Sequence, residues 1–491
     1  MNLPVEIYSV ESVRRIDRTA IDKGGISGYA LMTRAAQAAL EETRRRFPKA
    51  KRWQIVCGPG NNGGDGYVLA RLAGQQGIQV SVLAAQSPES LKGDARTACL
   101  DLAAEGGSVS DWSGALDADA DLLIDAMFGS GLERDISGSQ AGIVDAINAH
   151  AAPVVALDIP SGVHGDSGAV MGKAVVADLT VTFVGLKTGL FLGAARQCVG
   201  ELAFAGLGIP EECRRDVPAE LIRIEASLLQ QALPPRKADA HKGDFGHLLL
   251  VGGNPGMPGA IRLAGMAALR SGAGRVTIAT HASNIAPISA GCPELMFHAI
   301  DKADDLAPIL GRVDTLGIGP GLGTGDWGRA LLEPALAAGL PTVVDADALT
   351  VLAGLKLRKE NWILTPHPGE AARLLSSTVA EVQGDRPKAA RELQKRYGGI
   401  VVLKGAGTLV AGGVGPCRLC TAGNPGMAAA GMGDVLTGII AALLAQHLPA
   451  ETAAQCGVLL HAMAGDAAAA RGQRGMLASD LLPELRTCVN P

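Results

Sequence analysis

Nowhere does the 491-residue sequence reach the about 18 uninterrupted apolar residues that a membrane helix needs. Its most apolar window, Val435 to Ala445, is too short. The opening run MNLPVEIYSVESVRRIDRTA lacks the apolar centre of a secretory signal, so neither a membrane span nor export is expected. Long basic runs are missing too. Lys plus Arg total 44 against 49 Asp plus Glu, and a net charge of −5 makes nucleic acid a poor partner. The nine cysteines are scattered and odd in number, so they cannot all pair within the chain; a cytoplasmic location fits best. Cys417 and Cys420 form a C-x-x-C, but without a second pair or a nearby histidine chance spacing is preferred to a zinc or redox site. Fixed-period repeats are absent, because NPGM recurs only at 254–257 and 424–427.

What is present is a compact composition, 47% hydrophobic and 19% charged, with 65 glycines that suggest many tight strand-to-helix turns. The length exceeds what one core usually organises, and two domains are the economical reading. Short Val/Ile/Leu-rich strands alternate with Ala-rich helical stretches, the pattern of an α/β fold with parallel sheets covered on both faces. Strands are expected at Trp53–Cys57, Val80–Ala84, Leu122–Asp125, Val154–Asp158 and Leu179–Phe183. A second series falls at His247–Gly252, Arg275–Ala279, Thr315–Ile318, Thr342–Asp345, Trp362–Thr365, Ile400–Lys404 and Thr408–Ala411. Between the series, Arg215–Lys242 carries Pro218, Pro234 and Pro235, which places the boundary near 225, giving domains 1–225 and 226–491.

In the first half, CGPGNNGGDGYVLARLAGQQG (57–77) follows a strand and opens a helix. Its glycines let backbone N–H groups approach an anion, and the helix adds its positive end. The plain alternative is a glycine-rich turn capped by Asn and Asp. Asp125 and Asp158 each end an apolar strand, so three loops converge at the carboxyl edge of a parallel sheet, where ligands bind. Hard oxygen donors at Asn62, Asp125 and Ser161 suit an alkali or alkaline-earth cation. Asp158 is the acid/base candidate, its apolar neighbours Ile159 and Pro160 favouring the protonated form; a turn cap is the alternative.

The second half repeats strand, glycine-rich loop and helix over 242–274, then carries GIGPGLG (317–323), DADAL (345–349), TPHPGE (365–370), KGAGT (404–408) and GNPGMAAAGMGDVLTG (423–438). Gly431 and Gly433 precede Asp434 at an expected helix start. Backbone amides there can neutralise a transferring phosphoryl group while the carboxylate takes a proton from the attacking hydroxyl; a capping aspartate is the alternative. Lys404 opens a turn that can grip phosphates. His367 is held extended by Pro368 and presented to a ligand. Asp345 and Asp347 either orient a metal or form a turn.

NNGGDG, DAMFGSGLERDISG and DIPSGVHGDSG, preceded by SVRRIDRTAIDKGGISGYALM, resemble the NAD(P)H-hydrate epimerase domain across roughly 8–215. The resemblance implies a Rossmann-like doubly wound sheet. It also implies that the hydrated dinucleotide is bound by Asn61, Asn62, Gly63, Gly64 and Asp65, by Gly129, Ser130, Gly131, Leu132, Glu133, Arg134 and Asp135, and by Asp158. Asn62, Asp125 and Ser161 would correspond to potassium ligands, and Lys187 is a further candidate by position. The later motifs resemble the ADP-dependent NAD(P)H-hydrate dehydratase, a ribokinase-like family, across roughly 230–489. That implies dinucleotide contacts at Ala260, Gly321, His367 and Asp434, nucleotide contacts at Lys404, Gly405, Ala406, Gly407, Thr408 and Gly433, and a magnesium requirement. Ala429-Ala430 departs from the Ser-Gly or Thr-Gly usual there.

The joint expectation is a bifunctional enzyme of NADHX and NADPHX repair, with Asp158 and Asp434 as catalytic residues. It would epimerise the hydrates and dehydrate one epimer with ADP, releasing AMP and phosphate. A homo-oligomer is expected. The rival readings are a ribokinase-like small-molecule kinase and a non-catalytic first half.

Overall fold

The computed structural model describes residues 3–491. The chain divides into two compact units, Met1–Leu221 and Ile222–Pro491, a few residues ahead of the boundary read near 225.

In unit 1, seven parallel strands lie in the order Val109–Asp111, Gln79–Ala84, Arg52–Cys57, Leu122–Ala126, Val154–Leu157, Leu179–Phe183 and Glu201–Ala205. The order reverses beside Arg52–Cys57: the chain first steps outward through Gln79–Ala84, then returns to Leu122–Ala126 on the other side. Such a switch point opens a crevice at the carboxyl ends of the two strands. The loops there touch, since Gly58 donates its N–H to Ala126 O at 3.0 Å, and a Cβ at Gly58 would collide with the Met127 carbonyl. Only glycine permits that approach.

A short strand, Glu6–Tyr8, pairs in parallel with Leu186–Lys187, setting Tyr8 opposite Lys187. Ser9 then caps the helix Val10–Asp22, accepting from Ser12 N at 3.1 Å. Val10, Val13, Ile16 and Ala20 bury one stripe of that helix.

Unit 2 carries the order Met296–Ala299, Arg275–Thr280, His247–Val251, Thr315–Ile318, Thr342–Val344, Trp362–Leu364 and Ile400–Leu403, all parallel, followed by Thr408–Ala411 and Cys417–Cys420 antiparallel. The apolar window Val435 to Ala445 is a core helix, Met432–Ala445, buried throughout from Val435. It packs on the helix Pro258–Arg270 so closely that a Cβ at Gly438 would strike the Ala264 backbone. Among the described residues no helix is long and apolar enough to cross a membrane.

Differences from the sequence reading are local. Val109–Asp111, Glu201–Ala205 and Met296–Ala299 are strands it did not anticipate. Val154–Leu157 stops before Asp158, because Asp158 takes the left-handed φ of 66° and turns the chain out of the sheet. Val344 similarly ends its strand before Asp345.

Candidate active sites

At the switch point of unit 1 lies a cavity of about 720 Å³, of the size that holds small ligands. Asn61, Asn62 and Asp65, Gly129 to Arg134, and Asp158 all line it. Gly63, Gly64 and Asp135 do not. Gly63 sits against the Gly58 backbone and Gly64 against Met32, where their missing side chains serve packing.

Asp158 is not left among apolar neighbours, as its sequence context suggests. Its carboxylate is ion-paired with the Lys187 ammonium, and Ser130 N donates to Oδ2 at 3.4 Å. Lys187 is only 1% exposed; Nζ also donates to Thr182 Oγ1 at 3.0 Å and Phe183 O at 2.8 Å. The lysine is therefore a built component of the site. Its sequence context, VGLKTG, carries no local mark that separates such a lysine from a solvated one.

Asp125 is wholly buried. It accepts from Ser161 N at 2.7 Å, Ser161 Oγ at 2.6 Å and Met127 N at 3.2 Å. Burial pushes its carboxyl up to about 6 against those stabilising bonds. Ser161 Oγ also accepts from Phe128 N at 2.8 Å. Asn62 stands apart: both its amide nitrogen and oxygen are buried without a hydrogen-bond partner.

In unit 2 the motifs assemble around Lys404. Its Nζ lies 2.7 Å from Asp345 Oδ1 and 3.8 Å from Glu370 Oε2. Burial opposes the ammonium, but Asp345 and Glu370 outweigh it and hold the group above its ordinary value. Asp345 is fixed on its other side by Thr437 Oγ1 at 2.7 Å. Gly433 sits over this pair, so that a Cβ there would lie 3.3 Å from Nζ. Asp434 stands in the first turn of Met432–Ala445, after Gly431 at φ 87°. Burial and then the Asp345 charge push its carboxyl up to about 7.

His367 caps the helix Pro368–Leu375 in a reciprocal box: Gly369 N donates to Nδ1 at 3.0 Å and His367 N to Glu370 Oε2 at 2.7 Å. Its ring remains half exposed, and burial followed by the Lys404 charge lowers its pKa. Burial likewise raises Glu370 to about 7. Ala260 and Gly321 are neighbours, 3.4 Å apart for a Cβ built on Gly321. Asp347 accepts from Gly323 N at 2.8 Å and so fixes the GLG loop.

Sequence reasoning missed Arg386, which shapes the Lys404–Thr408 turn. Its buried guanidinium donates to Leu403 O and Lys404 O, both at 3.3 Å, and to Gly407 O at 3.1 Å. Nothing in its sequence neighbourhood marks it. Glu370 was visible inside TPHPGE yet not singled out.

The fold and the two sites define an enzyme with two nucleotide-handling α/β domains, each built around carboxylates that share a single lysine. A family profile described as YjeF-related protein N-terminus matches residues 28–189, and one described as NAD(P)H-hydrate dehydratase matches 248–487. The bifunctional NAD(P)H-hydrate repair enzyme of Coxiella burnetii is 46% identical over 99% of this chain and 99% of its own length. That of Escherichia coli is 44% identical over 100% of this chain and 95% of its own. A ribokinase-like superfamily protein from Enterococcus faecalis, known from its crystal structure, is 31% identical with a TM-score of 0.51; the match spans 55% of this chain and 95% of that one. The chain belongs to the bifunctional NAD(P)H-hydrate repair enzymes, which join an epimerase to an ADP-dependent dehydratase. Both the doubly wound first domain and the ribokinase-like second domain expected from the sequence are present.

Proposed function

We propose that unit 1 exchanges the two epimers of hydrated NADH and NADPH, and that unit 2 dehydrates one of them with ADP, releasing AMP and phosphate. The observation that carries this reading is the convergence of Asn61–Asp65, Gly129–Arg134 and Asp158, far apart in sequence, on one cavity at the switch point.

In unit 1, Asp158 handles the hydroxyl proton while Lys187 fixes the carboxylate's position. Potassium fits beside it. The unpartnered Asn62 amide oxygen, the buried Asp125 carboxylate and Ser161 Oγ are a hard-oxygen set, and a carboxylate retains lone pairs beyond its present bonds. The ion would supply positive charge against the dinucleotide's phosphates.

In unit 2, Asp434 takes the hydroxyl proton as that oxygen attacks the β-phosphate of ADP. Gly433 and the backbone of Lys404–Thr408 hold the nucleotide, and Ala260, Gly321 and His367 contact the dinucleotide. Phosphorylation turns hydroxide into a good leaving group, which the ring nitrogen's lone pair then expels. Magnesium suits a site where Asp345, Asp347, Glu370 and Asp434 outnumber one lysine. It would stabilise charge on the transferring phosphoryl group.

Chromatography of both epimers with and without ADP tests the reading. Epimer exchange should proceed without ADP, and NADH should return one for one with AMP. Repair without ADP cleavage refutes the phosphorylated intermediate, and a phosphorylated product that accumulates favours a kinase. The division between Leu221 and Ile222 separates the activities, so each half expressed alone should keep its own reaction.

A further inference from the structure

Exchange of epimers at a carbinol carbon has a requirement that one base does not meet. The oxygen leaving one face must gain a proton, and the oxygen arriving at the other face must lose one. The site therefore needs two groups in opposite protonation states. No histidine, cysteine or tyrosine lines the unit 1 cavity among the described residues, and the Lys187 ammonium is committed to Asp158, Thr182 and Phe183, so carboxyl groups are left to divide this work.

Asp17 is placed for it. Pairing of Glu6–Tyr8 with Leu186–Lys187 brings the helix Val10–Asp22 beside Lys187, an anchorage reinforced by Thr188 Oγ1 on Tyr8 O at 2.9 Å and Val10 N on Asp166 Oδ1 at 2.7 Å. Val13, Arg14, Asp17 and Ile21, spaced as one helical face, form part of the cavity wall. The Asp17 carboxyl has no hydrogen-bond partner among the described residues, unlike Asp125 and Asp158. Burial, opposed by the Lys187 charge and assisted by that of Asp158, lifts it to about 6. The other ionisable groups on the wall are Arg14 on the same helix, Asp65 and Asp158 with Lys187, and Asp94, Glu133 and Arg134 on the remaining elements. Asp65 is also pushed well up, by burial first, but it lies deeper, in the helix whose start packs the Gly58 loop.

We propose that Asp17 is the second proton-transfer residue of the epimerising site, donating to the departing hydroxyl while Asp158 accepts from the incoming water. This rests on the epimerase reading of unit 1. The carbon–oxygen bond breaks as the oxygen takes the Asp17 proton and leaves as water, and the ring nitrogen's lone pair closes a C=N bond. Water then adds to the opposite face, giving its proton to Asp158, and the electron pair returns to nitrogen. One proton enters the substrate and one leaves, and nothing is oxidised or reduced. Afterwards Asp17 is ionised and Asp158 protonated, the state that runs the reverse exchange or resets through solvent.

The test is the pH profile of epimer exchange by the full chain without ADP. Wild type should lose rate on the alkaline side as Asp17 ionises. Asp17→Asn should lower exchange by about two to four orders of magnitude and abolish that alkaline limb. Asp17→Glu, which keeps the carboxyl, should recover both, and Asp65→Asn should keep the limb. NADP+, used as a binding probe, should still bind Asp17→Asn. Exchange at the wild-type rate in Asp17→Asn overturns the proposal, as does a slow variant that retains the wild-type limb or one that Asp17→Glu does not rescue. A wild-type chain that exchanges no epimers overturns the epimerase reading itself.

Discussion

The two sites are built from the same parts, one largely buried lysine among several carboxyl groups, and they use the lysine in opposite ways. In unit 1, Lys187 binds Asp158 directly, the residue proposed to move the proton. In unit 2, Lys404 binds Asp345, which Thr437 also holds, and the proposed base Asp434 is left facing the pair without a close cation of its own. A base held in an ion pair has a fixed position. One left partly unneutralised is poised to change charge near neutrality. The first arrangement suits an exchange that passes protons in both directions. The second suits a single forward proton removal coupled to attack on a phosphate, itself a source of neutralising cations and backbone donors.

The sharpest way to break the comparison is to remove each carboxylate while keeping its shape. Asp434→Asn should lower dehydration by about two to four orders of magnitude, with AMP formation falling in parallel and epimer exchange unchanged. Asp158→Asn should do the reverse, suppressing exchange while sparing ADP-dependent restoration of NADH from the competent epimer. Rates of each reaction measured on both variants check the assignment; crossed or joint losses would show that the two sites do not work independently.

A smaller effect is set by pH. Asp434 must be ionised to accept a proton, and its carboxyl is raised to about 7, so kcat/KM for dehydration should rise with pH through neutrality. Below that value it should fall about tenfold per unit. Glu370 is raised into the same range, so the limb must be assigned by substitution: Glu370→Gln should leave it in place and Asp434→Asn should remove it.

Much of this was legible in the sequence because glycine and acidic residues at strand ends leave a local signature. The strand Arg52–Cys57, the NNGGDG helix start and the switch-point loops follow from hydrophobic runs and their breakers. Edge strands such as Val109–Asp111 were not legible, since three residues, two of them exposed, carry no apolar run. The Asp158–Lys187 pair joins residues whose proximity is created by strand order, and sequence context pointed instead to an apolar environment for Asp158. Asp17 lay inside the run that supported the resemblance, but its carboxyl acquires meaning only once Tyr8 is opposite Lys187. Arg386 is similar: it is one arginine in a charged helix, Arg386–Tyr397, until the fold lays it under the Lys404–Thr408 turn.

That arginine gives the smallest expected effect and the finest test of how unit 2 differs from unit 1. Arg386 touches no proposed catalytic atom. Its guanidinium reaches the carbonyls of Leu403, Lys404 and Gly407 at once and lies against Gly405, where a Cβ would come 2.7 Å from Nη1. All three bonds come from Nη2 while Nη1 donates to Gln383 Oε1 at 2.9 Å, and a lysine, with one nitrogen, cannot serve both ends of that fork. Arg386→Lys should therefore keep the buried charge but loosen the turn. Loss of one or two such bonds, each worth about 1–1.5 kcal/mol net, should raise the KM for ADP roughly tenfold. Because Asp434 and Lys404 keep their positions, kcat should change little, and epimer exchange should not change at all. Steady-state kinetics at saturating hydrate, with ADP varied, measure the split directly. A fall in kcat at unchanged KM would mean that the turn positions the transferring phosphoryl group, making Arg386 part of the catalytic geometry instead of the nucleotide's support.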